Sequence, residues 1–210
     1  MPEGRESPKG HLGPLARWRL GRRADKLARR PHGRAARKLY GSPTSHDFLW
    51  PQLLDALQLT KDDRLLDVGC GGGAFMRHVR ETIGCEVAGV DHSRDMVKLA
   101  QPHAALGDAD ALPFETGYFT AVSSIQAFIF FADPVQVLRE IRRVLDPERG
   151  RGAIWTTAPE GRGTPASPEP IAQLGHFHTD EQLLEYARMA GFAAPRIGAR
   201  DEWAQLLVLE

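Results

Sequence analysis

From Arg64 the chain runs through a short apolar block, RLLDV, directly into GCGGG and then into AFMRHVRETI. A strand, a glycine turn and a helix in that order permit few architectures, and the pattern is repeated downstream. EVAGVD (86–91) is a second strand, and SRDMVKLA (93–100) is a helix with Ser93 at its N-cap. TAVSSI (120–125) is a further strand, followed by a helix over 134–145 capped by Asp133, with Pro134 in its first turn. GAIWTT (152–157), a Pro and Gly-rich loop from 158 to about 175, a helix opened by the capping box Thr179 and Gln182, and a terminal strand WAQLLVLE complete the series. Strands separated by crossover helices predict an α/β, doubly wound, mostly parallel sheet with helices on both faces. Ligands of such sheets sit beyond the carboxyl ends of the strands where strand order reverses, so the glycine turn marks the expected site.

The formal charge of zero conceals an asymmetry. Residues 1–40 hold 12 Lys and Arg against 3 Asp and Glu, and the remainder holds 15 against 24. The first 14 residues have the composition of a disordered terminus, and LARWRLGRRADKLARRPHGRAARKLY (15–40) predicts two short helices split at Pro31. We therefore expect a basic, partly disordered or helical extension over 1–40 and one domain over 41–210. The extension suits either an arm touching RNA or anionic lipid, or a helix lying across the acidic main domain; the near absence of aromatic residues for base stacking favours the second. No apolar run approaches a membrane span and no secretory signal is read, so the expected location is cytoplasmic. Cys70 and Cys85 are too few for a disulfide framework and lack partners at metal-ligand spacing; they are expected to be buried, and no metal site is expected.

Taken alone, GCGGGA satisfies the dinucleotide pattern G-x-G-x-x-[GA], which leaves NAD open. Asp67 discriminates better, because a carboxylate at the strand end repels a pyrophosphate but can face an ammonium. No Lys followed by Ser or Thr closes the glycine run, which excludes a Walker loop. Asp91, 24 residues further on, stands where a carboxylate accepts hydrogen bonds from both ribose hydroxyls; capping of the following helix is its structural alternative. In GDADALPF (107–114), Asp108 is placed to accept from an adenine amino group while Ala109 offers a backbone amide, an element that counts against NAD.

In this order and at these distances, LLDVGCGGGAF, AGVDHS, GDADALPF, a strand ending in SSI and ADPVQVLREIRRVLDP resemble the class I S-adenosylmethionine-dependent methyltransferases. The likeness runs from about Tyr40 to Phe192 and is strongest to the group that includes ubiquinone and menaquinone biosynthesis and natural-product methyltransferases. It implies a seven-stranded Rossmann-like sheet, with S-adenosylmethionine as cofactor. By the same resemblance Gly69, Gly71 and Gly73 carry the methionine part with Asp67 shaping the loop, Asp91 holds the ribose, and Asp108 with Ala109 recognises the adenine. His92 would lie near the adenine face, and Ser124 would meet the cofactor through its backbone. Thr120 departs from the pattern, since the family usually has an acidic residue after the aromatic here.

Methyl transfer from a sulfonium is an in-line displacement that needs placement and dryness more than it needs a base. His176 in GHFHTDEQL, and Tyr40 and His46 ahead of the first core helix, are the candidate bases; His178, beside the Thr179 cap, is expected to be structural. SSIQAF replaces the D/N-P-P-Y/F sequence of enzymes acting on exocyclic amino groups, and the Pro-Cys nucleophile of cytosine C5 enzymes is absent. The leading expectation is a small-molecule acceptor, apolar or aromatic, lined by Phe128, Phe130 or Phe131. The alternatives are an RNA methyltransferase docked by the basic arm and a cofactor-binding regulatory protein without turnover.

Overall fold

Seven strands pair into one sheet in the order β3-β2-β1-β4-β5-β7-β6. The computed structural model describes Arg22, residues 25–40 and residues 46–210. The strands are β1 (Arg64–Val68), β2 (Glu86–Asp91), β3 (Ala104–Leu106), β4 (Ala121–Ile125), β5 (Arg151–Thr157), β6 (Arg196–Arg200) and β7 (Ala204–Leu209). The helices are α1 (Gly33–Tyr40), α2 (Trp50–Leu57), α3 (Ala74–Thr82), α4 (Arg94–Ala100), α5 (Pro134–Val144) and α6 (Asp180–Met189). β1 to β5 run parallel, whereas β7 is antiparallel to both β5 and β6. After β3 the chain crosses back to the other side of β1, so the switch point lies between β1 and β4, at the end of the glycine turn.

Both faces of the sheet are covered, which follows from the strand period of two. On β1, Leu65 packs with Leu53, Val79 and Trp155, while Leu66 and Val68 pack on the opposite face with Leu138, Ile141 and Leu183. β7 alternates in the same way, Leu206 and Val208 on one face, Leu207 and Leu209 on the other. The helix caps are local: Ser93 accepts from the N–H of Met96, Asp133 from Gln136, and Thr179 and Gln182 form the reciprocal box. β3 and β6 escape a periodicity reading because each is an outermost strand; AAL is short and only partly buried, and RIGAR alternates around a weakly apolar pair.

At the amino end of the central strands, Asp63 ties three of them together. Its carboxylate accepts from Thr120 Oγ1 at 2.6 Å, from the Thr60 N–H at 2.8 Å, and from Arg151 at 3.1 and 3.0 Å. Burial works against the charge, but the hydrogen bonds from Arg151, Thr120 and Thr60 win and hold the carboxyl far below the usual range. Thr120 also accepts from the Arg64 N–H at 2.9 Å, so the hydroxyl that stands in the family's acidic position is a structural joint.

Candidate functional site

The glycine turn bends because its residues occupy the left-handed region: Gly69, Gly71 and Gly73 have φ of 75, 52 and 77°. Side chains are excluded for a second reason. A Cβ on Gly69 would collide with that of Ala127 at the tip of β4, and one on Gly73 would lie 2.9 Å from the Cβ of Ala100. The turn thus fits against β4 and α4 only as bare backbone, and its free side opens on a cleft of about 1030 Å³.

Two carboxylates stand in that cleft at the ends of adjacent strands. Asp67 is buried and accepts from Ser123 Oγ at 2.8 Å. Burial pushes its pKa up to about 7; the Ser123 hydroxyl opposes this and the nearby Asp91 reinforces it. Asp91 accepts from the N–H of Gly71 at 3.0 Å and of Ser93 at 2.8 Å. Burial raises its pKa too, while the Ser93 N–H, His92 and the Gly71 N–H pull the other way. The cap of α4 is Ser93, which leaves Asp91 free of that task; its bond to Gly71 instead ties the glycine turn to the end of β2.

Gly69, Gly71, Asp67, Asp91, His92, Asp108 and Ala109 all line the cleft; Gly73 does not, and packs against Ala100 and Met76. Ser124 does not line it: its side chain is fully buried with an unpartnered hydroxyl, and the wall is made one step later by Ile125, Gln126 and Ala127. Gln126 holds φ of 57°, its N–H donates to the Trp155 carbonyl at 2.8 Å, and its Oε1 accepts from Thr157 Oγ1 at 2.7 Å. A non-glycine residue in that region is not legible from composition, which is why Gln126 escapes a sequence reading.

Of the candidate bases, His46 lines the cleft beside Trp50, and burial lowers its pKa against the opposing charge of Asp47. His176 is exposed, lies outside the cleft wall and is fixed by its backbone N–H to the Ile129 carbonyl at 2.7 Å. It therefore does not share the cleft with His46. His178 packs edge-on between Phe128 and Tyr186, and burial, then His176, lowers its pKa. The side chain of Tyr40 lies outside the described residues. Among the phenylalanines, Phe130 and Phe131 face the cleft, and Phe128 is core. Cys70 and Cys85 are both buried; burial, with Asp67 and Asp91, drives the Cys70 thiol upward, so it offers no thiolate.

Sequence reasoning also missed Ala28 to His32, which form one wall of the cleft. Pro31 stands between a helical turn, Asp25–Arg29, and α1. The charge asymmetry favoured a basic segment lying across the acidic main domain, and it does dock there; that it docks on α4 at the cleft is tertiary and no run of arginines foretells the place.

Residues 66–150 match the family model described as a methyltransferase domain. A malonyl-[acyl-carrier protein] O-methyltransferase from Pseudescherichia vulneris is 33% identical over 138 residues, covering 61% of this chain and 52% of that enzyme. The chain spans about half or less of the length of the curated relatives it matches. A solved phosphoethanolamine N-methyltransferase 2 from Haemonchus contortus, in complex with phosphomonomethylethanolamine and S-adenosylhomocysteine, is 28% identical with a TM-score of 0.60, covering 70% of this chain and 38% of that one. An Aquifex aeolicus methyltransferase, 18% identical, shares the fold at a TM-score of 0.66 over 83% of this chain and 96% of that one. The cofactor fits the residues present: a bare glycine cradle for the methionine part, no cation for a pyrophosphate in the turn, and a strand-end carboxylate for one ribose. Residues 66–150 thus carry a methyltransferase domain, and the glycine turn and the strand order around it are like those of the class I S-adenosylmethionine-dependent methyltransferases.

Proposed function

We propose that this protein transfers the methyl group of S-adenosylmethionine to a small molecule with an apolar or aromatic body. The observation that carries the reading is the continuation of the cleft past the glycine cradle, where Trp50, Phe75, Ile125, Phe130 and Phe131 wall it beside His46. When bound, the cofactor supplies a methyl on a positively charged sulfur.

The chain's own residues supply the rest. Gly69 and Gly71, their N–H groups held by the Val90 carbonyl and Asp91, bring bare backbone against the methionine part, and Asp67, once ionised, balances its ammonium. Asp91 takes the ribose hydroxyls, with Asp108 and the Ala109 amide at the adenine edge. The aromatic wall excludes water and holds the acceptor in line. His46, kept neutral by burial, takes the proton of an acceptor that does not lose it unaided. Relatives named as norajmaline N-methyltransferase and 27-O-demethylrifamycin SV methyltransferase support a small-molecule acceptor, and its apolar body rests on the cleft wall alone. RNA is less well supported, because the described part of the basic segment is engaged with α4, Arg37 pairing with Asp95 at 3.0 Å.

Calorimetry with S-adenosylhomocysteine, followed by conversion of S-adenosylmethionine with a panel of phenols, carboxylates and amines, tests the reading. Turnover stimulated by a panel member and reduced in His46→Asn is expected. Tight cofactor binding with turnover only on RNA would overturn it, as would binding without turnover on the panel or on cell extract.

A further inference from the structure

The basic segment ahead of α1 is the sequence motif that methyl transfer leaves unused, and its backbone is pinned to the loop that follows Asp91. Ser93 Oγ donates to the Pro31 carbonyl, the Gly33 N–H donates to Asp95 Oδ2 at 2.5 Å, and Arg37 donates to Asp95 Oδ1 at 3.0 Å. The Gly33 N–H, and Arg37 after it, hold the Asp95 carboxyl below its usual range. Ala36 of α1 is fully buried against this surface, and Gly33 turns the chain into α1 with φ of 80°.

Asp91 ends β2, Ser93 caps α4 and Asp95 stands in the first turn of α4, and the Ser93 N–H donates to Asp91 Oδ1 at 2.8 Å. The carboxylate read as facing the ribose and the two side chains that hold the basic segment therefore stand together at one strand-to-helix junction. Ala28, Arg29, Arg30, Pro31 and His32 line the same cleft as Asp91, His92 and Asp108.

We propose that residues 28–33 form a strap across the adenosine half of the cleft, latched by Ser93 and Asp95, so that cofactor binding and docking of the strap are a single coupled equilibrium. The inference rests on the cofactor reading above. It gives the basic segment a role inside the cofactor site. Release of the adenosine requires the strap to lift, and an ordered ribose site favours the docked strap; the coupling is reciprocal.

The test uses the full chain and S-adenosylhomocysteine. Its dissociation rate is read from the fluorescence change on displacement by excess sinefungin, with binding confirmed by calorimetry. Asp95→Ala should raise the dissociation rate about tenfold with no slower association, and Arg37→Ala, made on the strap side so that α4 stays intact, should raise it by a smaller factor. Arg34→Ala, on exposed α1 away from the latch, should leave it unchanged. In a second readout, saturating S-adenosylhomocysteine should slow tryptic cleavage after Arg29 in the wild type and much less in Asp95→Ala. Equal dissociation rates in wild type and Asp95→Ala, or cleavage indifferent to the ligand that calorimetry shows bound, overturns the strap. Failure of the wild type to bind S-adenosylhomocysteine overturns the cofactor reading itself and the coupling with it.

Discussion

Asp63 and Asp67 stand at the two ends of β1, both buried, with opposite electrostatic fates. Asp63, at the amino end, is surrounded by donors from Thr60, Thr120 and Arg151 and is held ionised far below the usual carboxylate range. Asp67, at the carboxyl end, has one hydroxyl for company and the charge of Asp91 nearby, and its pKa is pushed up to about 7. The satisfied carboxylate joins three strands. The one with fewer donors lines the cleft, where on the proposed reading a ligand ammonium would supply a further partner. On that reading, stability sits at one end of β1 and binding capacity at the other.

The two carboxyls carry opposite pH signatures. Asp63 has a lowered folded pKa, so its stabilisation is present above its unfolded value near 3.8 and is lost as pH falls through the folded value. Asp67 has a raised folded pKa. Below about pH 4 both states hold its proton and it costs nothing; between about pH 4 and 7 only the unfolded chain releases it, so stability falls as pH rises. With a folded value of about 7, the full penalty above that pH is on the order of 4 kcal/mol at 1.36 kcal/mol per unit. Asp67→Asn should therefore make the ligand-free protein more stable than wild type at pH 8 by an amount approaching this, while weakening S-adenosylhomocysteine binding. Urea titrations at pH 5 and 8 would check it, and equal stability of the two proteins at pH 8 would break the contrast between the strand ends.

Arg151→Ala addresses the other end. It leaves Asp63 buried without its cation and should cost about 3 kcal/mol in urea unfolding, with S-adenosylhomocysteine affinity unchanged where the variant is folded. A loss of affinity as large as the loss of stability would mean that the two ends are not separable. Asp91→Ala comes next, since on the proposed reading it removes the acceptor of two ribose hydroxyls. Calorimetry should show about a 100-fold weaker complex, roughly 2.7 kcal/mol, with a small change in melting temperature of the free protein. The smallest effect is expected at His46→Asn, about tenfold in kcat with the KM for S-adenosylmethionine held. A KM effect on the cofactor instead would move His46 from the acceptor side of the cleft to the cofactor side.

The glycine-turn side of the cleft was legible because its residues are placed by short, local signals. Asp67, Gly69, Gly71 and Gly73 follow a strand at fixed offsets, and Asp91 ends the next strand, so backbone geometry alone brings them together. The opposite wall was not. His176 and His46 look equivalent in sequence, yet only His46 enters the cleft, because the path of the chain before α6 carries His176 outside it. Phe128 and Phe130 are two residues apart and differ in kind, one core and one lining, since a helical turn at Phe128–Phe130 rotates them to different sides. Ser124 and Gln126 exchange the expected role for a similar reason: the strand buries the serine, and the left-handed turn beyond it presents the glutamine.

Among the described residues no helix is long and apolar enough to cross a membrane. What the sequence by itself determined is the order of strands and helices, the glycine turn and the carboxylates at two strand ends, because each depends on periodicity or on contacts within a few residues. The tertiary structure decided which histidine and which phenylalanines face the cleft, how the edge strands complete the sheet, and where the basic segment docks. Those outcomes rest on contacts between residues far apart in the chain, such as Gly33 with Asp95, Thr157 with Gln126 and Arg151 with Asp63, and no local pattern encodes them.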